Sequence, residues 1–177
     1  EKWGGVEAGV VAYSLAMMEI ARACGSTAVT MAVTNMVAEI ICKFGTEEQI
    51  QAHVPKITSG QYAAGAFALT EPGCGSDSKA IETTAVLDGD EWVLNGEKIF
   101  VTSGIRSEGS VVWATIDKSA GRGAIKAFVV MKGTPGFELV KKEEKMGIRA
   151  SDTTAFVLKN CRVPRENLLG MDETVQK

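Results

Sequence analysis

At Gly60 the spacing of apolar residues changes from three- and four-residue steps to strand-like alternation, and that switch constrains the fold more than any other feature. Upstream, Val10, Val11, Leu15, Met18 and Ala21 to Ala23 recur at helical intervals until Gly25 and Ser26 break the run. A second helix is expected from about Thr27 to Lys43, carrying Ala28, Met31, Ala32, Met36, Ile40 and Ile41 and ending at Phe44-Gly45. Thr46-Glu-Glu-Gln49 has the capping-box pattern that starts a third helix, running to about Ser59. Downstream, strand-like runs cover 62–69, 83–87, 91–94, 98–102, 110–116, 124–131, 137–140 and 154–158. Asp88-Gly-Asp90, Asn95-Gly96, Gly121-Arg-Gly123 and Thr134-Pro-Gly136 separate them with hairpin and loop chemistry. The pattern predicts an α+β chain: N-terminal helices in 1–60, then an antiparallel β-barrel-like domain in 61–165. Residues 166–177 read as a link onward.

At 177 residues and 45% hydrophobic content, the chain can bury a real core. A net charge of −3, with Lys and Arg dispersed among Asp and Glu, argues against a nucleic-acid partner. Cys24, Cys42, Cys74 and Cys161 form no Cys-x-x-Cys pair and His53 is the only histidine, so no metal site is expected. Two of the cysteines fall in apolar helical segments where a thiol acts as a small core residue, which favours reduced thiols and an intracellular setting. No uninterrupted apolar run approaches the roughly 20 residues of a bilayer span, and no membrane span is expected.

The chemistry-bearing stretch is Phe67, Ala68, Leu69, Thr70, Glu71, Pro72, Gly73, Cys74, Gly75, Ser76 and Asp77, where a β-like run ends in small, hydroxylated residues. Pro72 fixes φ, Gly73 and Gly75 accept positive φ, and Thr70 and Ser76 offer hydroxyls to carbonyl or phosphate oxygens. The same composition would serve an ordinary surface turn. About 25 residues on, however, Asn95-Gly96 leads a second apolar run, Lys98 to Thr102, into another Thr-Ser-Gly cluster. Two hydroxylated strand ends suggest one shared small-molecule site.

These segments, with Trp92-Val-Leu-Asn-Gly-Glu-Lys98, Phe100-Val-Thr102, Thr134-Pro-Gly-Phe137, Lys145-Met-Gly-Ile-Arg-Ala-Ser-Asp152 and Cys161-Arg-Val-Pro-Arg-Glu-Asn-Leu-Leu-Gly170, resemble the flavin-dependent acyl-CoA dehydrogenases in order and spacing. The resemblance runs from about residue 5 to 170. It implies the end of a helical N-terminal domain followed by the β middle domain, with the family's C-terminal four-helix domain absent. It further implies FAD as cofactor and α,β-dehydrogenation of an acyl-CoA, with electrons passed to an electron-transfer flavoprotein. An acyl-CoA oxidase or related enzyme on the same scaffold, and a non-catalytic β-barrel binding module, are the alternatives.

By the resemblance, Phe67 to Ser76 line the flavin and its pyrophosphate arm, Thr102 hydrogen-bonds near flavin N5, and Phe100 and Val101 complete that edge. Phe100 stands where the family most often has Trp. Ser76 and Arg122 are the substrate-side candidates, while Met31, Asn35 and Met36 could wall the acyl pocket. The family draws its catalytic base from the C-terminal helices, so no catalytic residue is expected in this chain, which alone should neither dehydrogenate nor hold FAD tightly. The family implies a homo-oligomer in the bacterial cytoplasm or mitochondrial matrix.

Overall fold

In the computed structural model, which describes residues 2–175, three helices precede a seven-stranded sheet. Helices α1 (Gly9–Ala23), α2 (Gly25–Phe44) and α3 (Glu47–Thr58) match the helical spacing. Only extended Cys24 separates α1 from α2, so Gly25 and Ser26 open the second helix instead of merely breaking the first. The α3 capping box is formed: Gln49 N–H donates to Thr46 Oγ1 at 3.3 Å, and Thr46 N–H donates to Gln49 Oε1 at 2.8 Å.

The strands are β1 (Ala66–Ala68), β2 (Thr84–Asp88), β3 (Glu91–Thr102), β4 (Gly109–Thr115), β5 (Ile125–Met131), β6 (Phe137–Lys142) and β7 (Thr153–Pro164). Antiparallel pairs β2–β3, β3–β7, β7–β6 and β4–β5 make most of a curled half-barrel. Two short parallel contacts, β1–β4 and β2–β4, join its halves. The inner face packs Trp92, Leu94, Val101, Phe128, Phe156 and Leu158 into one core. The outer face of β4 and β5 presents Val111, Ala127 and Val129 to Val37, Ile41, Ile50 and Val54 of α2 and α3. Alternation in β1 serves both layers, with Ala66 and Ala68 in the barrel core and Phe67 against the helical layer.

Several boundaries differ from the sequence expectation for physical reasons. Asn95-Gly96 is no hairpin turn: β3 runs straight through it, with a register shift between Leu94 and Gly96. Asn95 Oδ1 accepts the N–H of Asn160 on β7, and Gly96 is needed because a Cβ there would lie 2.3 Å from Thr83 Oγ1. A side chain doing turn chemistry here serves a bulge. The Thr134-Pro-Gly136 turn hands the chain from β5 to β6, which pair with different partners. β1 is shorter than expected because the preceding Gly65 N–H bonds Thr34 Oγ1 of α2, at 3.2 Å, instead of entering a ladder. β7 is longer, since pairing resumes at Cys161 after Asn160 adopts a φ of 47°.

By length and composition alone α2 is long and apolar enough to cross a bilayer, a test that a core helix also passes. Its Ala28, Val37 and Ile41 are buried, the last two against α3 and the sheet. The cysteines also differ: Cys24 and Cys42 are exposed, whereas Cys74 and Cys161 are buried, and all four are free thiols.

The segment expected to lead onward is bound back onto the fold as far as it is described; residues 176 and 177 lie outside the described residues. Buried Gln49 donates through Nε2 to Glu166 O and Leu168 O, both at 2.7 Å, and its Oε1 also accepts Gly170 N–H at 3.1 Å. Leu168 sits in the barrel core, and Asn167 Nδ2 donates to Val129 O at 2.7 Å.

Candidate functional site

Glu71, Pro72, Gly73 and Cys74 form a tight turn, with Glu71 N–H donating to Cys74 O at 2.9 Å and Cys74 N–H to Glu71 O at 3.1 Å. Pro72 takes the second turn position, for which its fixed φ is suited. Neither Gly73 nor Gly75 has positive φ, so the expected reason for glycine is not the operative one. A Cβ on either would meet nothing within 4 Å. Neither the fold's conformation nor its packing calls for glycine at these positions. Glycine at both positions leaves the backbone of this exposed turn uncovered.

The turn is fastened to β3. Ile99 N–H donates to Thr70 O at 2.9 Å, and Lys98 Nζ donates to Leu69 O at 3.1 Å and Glu71 Oε1 at 2.6 Å. Lys98 is fully buried and Glu71 is 5% exposed. Burial pushes the Lys98 ammonium below its ordinary range, and the Glu71 carboxylate pulls it back. For Glu71 burial acts upward, but bonds from Lys98, Thr83 and Glu82 outweigh it and hold the carboxyl below its usual value. Glu71 is therefore an engaged, turn-stabilising anion and no free base.

β3 ends in a second bulge between Lys98 and Val101. Phe100 has a φ of 56° there and is 62% exposed, and Ser103 follows with a φ of 62°. A bulky residue in the left-handed region is uncommon and costs energy that neighbouring structure must hold in place. Val101 anchors the segment in the barrel core, so Thr102, half-buried and paired with Thr153, lies on the opposite face of the strand.

The sequence-designated residues therefore separate into groups. Ala68, Glu71, Cys74 and Val101 turn their side chains inward and offer a ligand only backbone. Pro72, Gly73, Gly75, Ser76 and Phe100 are exposed around the two tips, with Thr70 and Thr102 half-buried between. Phe67, Leu69 and Arg122 line a groove of about 610 Å³. Its apolar floor includes Trp113 and Ile125, and Lys43, Arg122 and Lys126 bring cations to it. Trp113 Nε1 is buried without a hydrogen-bond partner. Lys126 is paired with Asp172 at 3.2 Å. Met31 is exposed on α2, and Asn35 and Met36 lie outside this groove's lining.

Sequence reasoning missed Lys98. The available signal was an ionisable residue at an apolar-patterned position of β3, together with a Glu in the facing tip.

A half-barrel backed by helices, with two strand tips pinned together beside an apolar groove carrying cations, defines a small-molecule-binding domain. The chain belongs to the acyl-CoA dehydrogenase family. Profiles described as the acyl-CoA dehydrogenase middle domain and N-terminal domain match residues 66–161 and 1–61. The human mitochondrial short-chain specific acyl-CoA dehydrogenase is 46% identical over 171 residues, covering 96% of this chain and 41% of the human protein. Butyryl-CoA dehydrogenase from Megasphaera elsdenii superposes with a TM-score of 0.91 at 40% identity, over 96% of this chain and 45% of its own. A glutaryl-CoA dehydrogenase from Mycobacterium smegmatis, solved in complex with FADH2, superposes with a TM-score of 0.87 at 33% identity, over 97% of this chain and 43% of its own. The chain thus spans less than half the length of these relatives.

Proposed function

We propose that this chain supplies the flavin cradle and part of the acyl-CoA groove of an FAD-dependent acyl-CoA dehydrogenase acting on a short acyl thioester. The observation that carries the proposal is the open backbone at Gly73 and Gly75, on a turn pinned to the bulged end of β3. Glycine that its own fold does not need, next to Ser76 and Thr70 hydroxyls, suits the close approach of a pyrophosphate and ribityl chain. A bound flavin would supply the hydride acceptor for removal of the substrate's β-hydrogen. Thr102 would donate its hydroxyl at the flavin edge, the exposed ring of Phe100 would cover the neighbouring apolar edge, and Val101 would hold that segment's height from within the core.

Ser76 and Arg122 would face the coenzyme A arm. Arg122 brings a permanent cation to a groove whose apolar floor fits pantetheine. The α-proton base is not assigned within this chain, because Glu71 is committed to Lys98 and the amides of Glu82 and Thr83. We read residues 1–60 as the end of the helical domain, 61–165 as the middle domain and 166–177 as the passage toward further helices. The whole protein is then a homo-oligomer passing electrons to an electron-transfer flavoprotein in the bacterial cytoplasm or mitochondrial matrix. The test is anaerobic titration of the full-length protein with butyryl-CoA. Stoichiometric bleaching of the oxidised flavin band supports the reading, and a colourless protein that takes up no added FAD overturns it.

A further inference from the structure

The Lys98–Glu71 pair lies beneath the proposed cradle, with Lys98 fully buried and Glu71 5% exposed. Three chain segments meet at this one pair. The tip contributes Leu69 O and the Glu71 carboxylate. The approach to β2 contributes the N–H groups of Glu82, to Glu71 Oε2 at 2.6 Å, and of Thr83, to Glu71 Oε1 at 3.1 Å. β3 contributes Lys98 itself, two residues before the positive-φ Phe100.

Stability alone does not account for such a pair. Burying both ions carries a desolvation cost comparable to their attraction, and an apolar pair of similar volume generally serves stability as well or better. What the ion pair adds is directional geometry. Lys98 Nζ can satisfy Leu69 O and Glu71 Oε1 together only at one height of the tip relative to β3, and Ile99 N–H to Thr70 O repeats the constraint one residue on. That height sets the distance between the hydroxyls of Thr70 and Ser76 on one tip and Thr102 on the other.

We infer that Lys98 and Glu71 are positioning residues that preform the flavin cradle, locking the Thr70–Ser76 turn to the bulged end of β3 before the cofactor arrives. This rests on the flavin reading above. Neither side chain is given a contact with the flavin; both act through the backbone they hold.

The test uses the full-length protein. Lys98→Met alone leaves a buried carboxylate without its cation and is expected to fold poorly, so the decisive variant is Lys98→Met/Glu71→Gln. It removes both charges, and the one carbonyl oxygen of Gln keeps an acceptor for the amide of Glu82 or of Thr83, which in wild type bond different carboxylate oxygens. The expected result is a folded protein with a modestly lowered melting temperature, FAD affinity weakened at least tenfold and a changed flavin circular-dichroism band. A double variant that binds FAD with wild-type affinity and spectrum overturns the inference. One that fails to fold also overturns it, because the pair is then structural.

A second readout needs no variant. In wild type stripped of flavin, the amides of Glu82, Thr83 and Ile99 are expected to exchange with deuterium as slowly as in the loaded protein. Free exchange that closes only on adding FAD shows a cradle made by the ligand, and refutes preformation. A wild type that binds no FAD fails differently, since it removes the flavin reading and this inference with it.

Discussion

Gly96→Ala tests the packing logic of the sheet beneath the proposed cradle. A Cβ at Gly96 would stand 2.3 Å from Thr83 Oγ1 and 2.7 Å from Thr83 Cα. Rotating the Thr83 side chain relieves the first clash and leaves the second, which is with backbone. That backbone is fixed on both sides, because Thr83 N–H donates to Glu71 and Thr83 O accepts Thr115 N–H at 2.8 Å. Overpacking of this kind costs about 1–3 kcal/mol, and a neighbour that cannot yield puts the cost near the top of that range. Gly96 has a φ of 157°, which L residues rarely adopt, so reduced unfolded-state freedom gives no offset here. The destabilisation is about 3 kcal/mol, which lowers the melting temperature of a chain this size by roughly 6–12 °C. Differential scanning calorimetry is the assay. Adding Thr83→Ala should restore only part of the loss, since the clash with the backbone of residue 83 persists. A Gly96→Ala protein melting with wild type, or complete rescue by Thr83→Ala, would refute the reasoning.

Three further outcomes follow from the same geometry. Glu71 titrates below its ordinary 4.5, so the unfolded chain holds that proton more tightly; the carboxylate's stabilisation is complete above 4.5 and is lost as pH falls through the folded value. Melting temperature should therefore fall on the acid side in wild type and fall less in Lys98→Met/Glu71→Gln, and superimposable acid limbs would contradict this. Exposed Cys24, its thiol lowered by hydrogen bonds from Thr27, should be alkylated by iodoacetamide well before Cys161, which burial pushes up to about 11; equal labelling rates by mass spectrometry in the folded protein would count against that. Gln49→Ala leaves the carbonyls of Glu166 and Leu168 without their donor and opens the capping box, at a cost of about 2–4 kcal/mol, with faster amide exchange across 166–171 as the readout; unchanged exchange there would show that the segment is held by its apolar packing alone.

Local signals were legible where local physics decides the structure. The capping box at Thr46, the Asp88-Gly-Asp90 hairpin and the switch of period near Gly60 all survive into the fold. Asn95-Gly96 shows where local reading stops: the dipeptide that most favours a two-residue turn is held in a strand because β7 pairs along both of its sides and Asn95 bonds Asn160 across the bulge. Gly73 and Gly75 teach the converse, since their value lies in open space and not in the positive φ for which glycine is usually chosen. Lys98 was legible only in part, for a third reason. Its burial depends on a partner 27 residues away in sequence, and alternation alone cannot tell a buried lysine from an exposed one. The packing of 166–171 against Gln49 depends on hydrogen bonds spanning well over a hundred residues, which polarity and turn composition do not announce.

The central claim is that the turn at Gly73 and Gly75 and the end of β3 together receive a flavin through open backbone. The most direct measurement is the FAD dissociation constant of the full-length Gly73→Ala/Gly75→Ala variant beside wild type, with melting temperatures of the flavin-free proteins taken in parallel. Because added methyls at these positions meet no protein atom within 4 Å and neither glycine has positive φ, the account predicts melting of the flavin-free protein no lower than wild type, and FAD binding at least tenfold weaker. Equal FAD affinity in the two proteins would contradict it, and would place the cofactor away from these strand tips.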